Sequence, residues 1–175
     1  MPRHHRRLTA VVHLLGCAAA CGQDGGPGAT GRLRAMVASP GRDTVRFTAP
    51  AVARACTGGT GIVLEGLASG SGVLVWLRPP PGDTALAGRY VFPLAGDTTP
   101  RRRARVGVRY VFGAAAYGVT LDSGDVAARE TDRALTVELH GAGLLLPGAT
   151  RAFVEAGFER VPIGADNAPC EPGGL

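Results

Sequence analysis

The chain has 175 residues, 45% of them apolar, which suits one globular domain with short additions. It carries 19 basic and 14 acidic residues, a formal net charge of +5, and every base is arginine. Arg3, Arg6 and Arg7 precede the first acid, Asp24; without them 16 bases face 14 acids, and that balance, with aromatics at 5%, argues against a nucleic-acid-binding surface.

The chain opens with "MPRHHRR", a positive n-region, followed by "LTAVVHLLG", a short apolar run, and then small residues. Those are the parts of an export signal. The run is too short to cross a bilayer as a helix, which takes about 20 residues. Later apolar runs are cut by Gly, Pro or Arg, so export without a spanning segment is expected.

At its end stands Leu14-Leu15-Gly16-Cys17. This resembles the lipobox of bacterial lipoprotein precursors: an aliphatic residue three before the cysteine, a small one just before it, then the cysteine. Ala18-Ala19-Ala20-Cys21 is a second match, with Ala where Leu is usual. The resemblance implies that Cys17, or alternatively Cys21, becomes the N-terminus and carries lipid. Residues 1–16 (alternatively 1–20) would then be a signal peptide. Residues 17–31, including "GQDGGPGATG", read as a Gly-rich tether, and 32–175 as one domain. Several acyl chains hold a protein to a membrane stably where one does not. The resemblance also implies a retention rule: an Asp after the lipidated Cys keeps such a protein at the inner membrane. Here Ala18 or Gly22 follows, so the outer membrane is favoured in an organism with two.

From about Gly31 the pattern is that of strands. "DTVRF" aligns Val45 and Phe47. "GVLVWL" is apolar on both faces and reads as a covered central strand, with Trp76 in the core. "GRYVFPL" aligns Tyr90, Phe92 and Leu94. "ARVGVRYVF" sends Val106, Val108, Tyr110 and Phe112 one way, and Arg105 and Arg109 the other. "YGVTLDSGDVAARE" reads as a hairpin turning at Ser123-Gly124. "ALTVELH" sends Leu135, Val137 and Leu139 inward and His140 outward. "TRAFVEAGFERV" reads as a strand bulged at Gly157. The sum is nine or ten short strands and an all-β fold, an antiparallel β-sandwich or a partly open barrel.

The two cysteines of the body, Cys56 and Cys170, form an even pair, which in an exported protein reads as a disulfide.

Chemistry is harder to find. His140 is the one histidine outside the leader, which argues against a histidine-based metal site and against a Ser-His-Asp triad. "CTGGTG" and "ASGSG" lack the Walker lysine and read as turns. Asp122 and Asp125 are a weak calcium candidate without EF-hand spacing. Arg101, Arg102, Arg103 and Arg105 form the sharpest charge cluster, a weak candidate for contact with anionic headgroups or wall polymers. No cofactor is implied. The sequence therefore points to a non-catalytic binding or structural module on the envelope. Its partners would be the membrane, through the lipid, and an envelope protein or cell-wall polymer. The alternatives are a carbohydrate- or calcium-binding module and a carboxylate-dependent envelope hydrolase.

Overall fold

The computed structural model describes residues 31–57, 59–94, 96–146 and 150–170. The expected export signal, Cys17, Cys21 and residues 17–30 of the expected tether lie outside them, whereas Gly31, read as the last tether residue, opens the first strand.

Nine strands form: β1 Gly31–Ala38, β2 Val45–Cys56, β3 Ile62–Ala68, β4 Ser71–Arg78, β5 Gly88–Tyr90, β6 Arg103–Phe112, β7 Ala115–Thr131, β8 Ala134–Leu146 and β9 Arg151–Ala168. The sheet order is β5-β7-β6-β4-β3-β2-β1-β9-β8, and β8 also pairs with β7. That last pairing closes the sheet. Eight strands thus make an antiparallel barrel in which chain neighbours are ladder neighbours, and β5 is the ninth. The architecture is a barrel, not a sandwich.

The closing element is β9, 18 residues long. Its first half is shared between β8 and β1, with Glu155 opposite both His140 and Met36. Beyond the start of β1 it continues beside β2 in parallel, Ala53 opposite Ile163. A sheet closed this way exposes no long free edge.

The alternation read in the sequence is the division between lumen and outer wall. Leu33, Leu64, Val75, Leu77, Val106, Leu135, Val137, Leu139, Val154 and Phe158 are buried inside. Arg32, Arg34, Arg46, Arg105, Arg109, Glu138 and Glu155 stand outside. Eight strands leave a lumen that side chains can fill. An apolar lumen within a charged wall is the reverse of a membrane-spanning barrel. Among the described residues no helix is long and apolar enough to cross a membrane.

β6 and β7 part company below the Gly107–Thr120 pair. β5 enters the gap, pairing with β7 through Tyr90 and Val126, while Val91 bridges to Arg103. Tyr90 and Phe92 plug the seam from inside, whereas Leu94 is exposed. The Tyr90 hydroxyl donates to the Leu86 carbonyl at 2.7 Å and accepts from Arg102 at 3.3 Å. Burial pushes its pKa up, and Arg102 pulls against that.

Three sequence readings need correction. β7 runs straight through Ser123-Gly124, and no hairpin forms there. Asp122 is the extra residue, taken up as a bulge, and Gly124 pairs with Gly141 at φ 119°. The reversal comes at Asp132-Arg133, both left-handed (φ 52° and 59°), as a two-residue turn of this kind requires. β9 is a strand, as read, but its irregularity lies at Arg160 (φ 46°) rather than Gly157. Finally, β4 is covered on one face only, because a barrel has one inside. Leu74 is about half exposed, and Trp76 lies on the outer wall between Arg78 and Arg105.

Cys56 and Cys170 are joined as a disulfide, their Cα atoms 5.2 Å apart, which pins the segment after β9 to the end of β2. The Thr57 amide donates to the Ala168 carbonyl beside it at 2.9 Å.

Candidate functional site

A groove of about 650 Å³ crosses the outer wall over β8, β9, β1 and β2. Its floor is Gly157. No side chain stands there, and a Cβ would meet nothing nearer than the Val137 carbonyl at 4.0 Å. The ladder arranges the groove walls in rows. One row runs Asp125, His140, Glu155, Met36, Arg46, each residue directly opposite the next. The neighbouring row runs Ala127, Glu138, Gly157, Arg34, Thr48. Outward residues two apart on each strand place both rows on one face.

The charges of the two rows differ in how they are paired. Arg34 reaches Glu159 at 3.1 Å, and Arg129 reaches Glu138 at 2.6 Å. Among the described residues Arg46, His140, Glu155 and Asp125 have no ion-pair partner. The groove therefore offers a free guanidinium, Arg46, at one end and the free Glu155 carboxylate beside His140 toward the other, with Asp125 opposite His140 just beyond its edge. Opposed charges across an open, solvated groove suit a polar ligand with both donors and acceptors.

The other sequence candidates fall elsewhere. Asp122 is held by Arg151 through both guanidinium nitrogens, one of them at 3.0 Å, and by this pairing its carboxyl is shifted below the usual aspartate range. Asp125 lies past the bulge, opposite His140. Among the described residues no three His, Cys, Asp or Glu side chains gather as metal ligands. The arginine cluster is divided. Arg101 pairs with Asp97, and Arg103 donates to the Asp97 and Thr99 carbonyls at 2.7 Å. Arg102 pairs with Asp83 at 2.5 Å and donates to the Ala85 carbonyl. Among the described residues Arg105 alone of the four has no acid beside it, and it lies over the Trp76 ring at 5.5 Å. Among the described residues the buried Trp76 indole N–H has no acceptor.

Sequence reasoning placed His140 on a solvent face but missed Gly157 as the floor of a groove. The signal existed only in register: a glycine between Glu138 and Arg34 on neighbouring strands. Comparison with protein-family models, with curated proteins and with solved structures finds no match to this chain.

Proposed function

We propose that this chain is a lipid-anchored envelope protein whose barrel is a non-catalytic binding module, with the groove over Gly157 as its ligand surface. Cys17 carries the lipid, and the Gly-rich segment after it is the tether. The observation that carries the binding reading is the groove itself: an uncovered floor with Arg46, His140 and Glu155 unpaired around it. Buried apolar side chains fill the lumen, which leaves the outer wall for recognition. The Cys56–Cys170 disulfide fits an oxidising compartment, as export requires.

The ligand class that suits the groove is a cell-wall polymer fragment bearing hydroxyl, amide and charged groups. Soluble peptidoglycan fragments titrated into the full chain by calorimetry test this. Binding that is lost in Gly157→Leu, whose Cβ would meet nothing nearer than the Val137 carbonyl at 4.0 Å and whose side chain would occupy the floor, supports the reading. Binding untouched by that change, or no binding to any fragment, contradicts it.

One observation favours a second reading. His140 between Asp125 and Glu155 is the arrangement a carboxylate-dependent hydrolase could use. Turnover of the same fragments, abolished by His140→Ala, would decide for it.

A further inference from the structure

Exposed leucines and phenylalanines gather near one end of the barrel. Leu67, Leu74, Phe112, Leu144, Leu146 and Phe153 are each more than a third exposed, on β3, β4, β6, β8 and β9. All lie toward the end that carries the β3–β4, β6–β7 and β8–β9 connections. Large apolar side chains gathered at one end of an outer wall are a candidate interaction surface.

Two ladder rows give the surface its shape. In one, Leu74, Gly107, Thr120 and Leu144 are successive partners on β4, β6, β7 and β8. In the other, Gly72, Arg109, Gly118 and Leu146 are successive partners on the same strands. Gly107 and Gly118 leave the wall bare, with nothing within 4 Å of an added Cβ. A cleft of about 270 Å³ lies over Gly72 and Gly107, bordered by Leu67, Leu74 and Arg109. On the other side of β7 the Leu144–Leu146 pair stands out as a ridge. Outward glycines in a strand are where another chain can approach closely.

We propose that this wall is the interface of a homodimer, with the two-fold axis running along β7. The wall is self-complementary about that axis. About β7, Gly107 and Leu144 are equidistant, and so are Arg109 and Leu146. A two-fold axis there sets Leu144 of one copy over the bare backbone at Gly107 of the other, and Leu146 against the aliphatic stem of Arg109. Both contacts occur twice, as an isologous interface demands. Small residues, Gly118 and Thr120, occupy the axis and permit close approach. The charges argue against a lipid surface as the occupant. Arg109 and Glu65 border the cleft, and the Asp122–Arg151 pair lies beside the ridge. Charged groups among apolar anchors are ordinary in a protein interface but costly in hydrocarbon. This inference goes beyond the proposed binding function and does not depend on the lipid.

The test uses the full chain in a bacterial host, with a photoreactive benzophenone amino acid at position Leu144. Irradiation should give an adduct of twice the chain mass, and peptide mapping should place its far end within 103–112. The same group at Thr48, on β2 in the groove over Gly157, should give no adduct of twice the chain mass. Gly107→Trp should remove the Leu144 adduct while the far-ultraviolet spectrum and the disulfide remain. Thr120→Arg, at an exposed position on the axis, should also remove it, and decides the matter should Gly107→Trp fail to fold. An adduct with a different protein or with lipid, equal adducts from Thr48, or no adduct at all overturns the proposal.

Discussion

Cys56, the last residue of β2, is bonded to Cys170, just beyond β9, across 114 positions of sequence. The bond ties together two strands that already run in parallel, with Cys56 opposite Ala168. The parallel segment is short, four paired positions with a register shift, so the covalent link is what secures this end of the barrel. A loop of this size gives about 4.7 kcal/mol in the chain-entropy account, and measured bridges commonly give 2–4. Replacing both cysteines by serine should lower the unfolding free energy by roughly that amount, read by urea titration with and without the pair. A loss below about 0.5 kcal/mol would show that the parallel segment holds without it.

The Asp132-Arg133 turn predicts a gain. Two non-glycine residues there hold left-handed backbone, at about 1–2 kcal/mol each for an ordinary side chain and less for Asp. Replacing the pair with Asn-Gly should stabilise the barrel by about 1 kcal/mol, seen as a higher urea midpoint with an unchanged slope. Gly124→Ala should act in the opposite direction. Its Cβ would fall 2.1 Å from the His140 carbonyl oxygen, so the bulge must shift, and the soluble yield of folded protein should collapse.

Acid should reveal Asp97. The Thr99 amide, then the Thr99 hydroxyl and Arg101, hold its carboxyl down to about 2, against an ordinary 3.8. A depressed carboxylate stabilises the fold above its unfolded pKa, and that contribution is lost as pH falls through the folded value. The difference in urea midpoint between the native chain and Asp97→Asn should therefore be full at pH 7. It should shrink between pH 3.8 and about 2, and be absent below. A difference that stays constant from pH 7 to pH 1.5 would mean that the carboxylate charge contributes nothing. Because the group is at the surface, the effect should be small and should fade in high salt.

Strand existence was legible because period-2 alternation survives in β6 and β8, where Val106, Val108, Leu135, Val137 and Leu139 all point into the lumen. Closure was not. It depends on β9 pairing with β1, over a hundred residues earlier, and no local pattern encodes that. Trp76 misled because its apolar neighbours imitate a strand covered twice, when two guanidinium groups cover its outer face. The Asp-Ser-Gly-Asp segment carries the residues of a turn, yet they serve a bulge, while the real turn uses Asp-Arg. The groove was invisible because its defining residue, Gly157, contributes an absence of side chain that only the register places among charges. The leader rests on a resemblance alone and lies outside the described residues.

The central claim is that this barrel works at the cell envelope, held by lipid on Cys17. The most direct measurement is incorporation of labelled fatty acid by the full chain in a bacterial host, with fractionation of membranes. The account predicts a labelled, membrane-bound product, and loss of the label in Cys17→Ala. Label that survives Cys17→Ala but not Cys21→Ala would move the site, and absence of label from the native chain would contradict the claim.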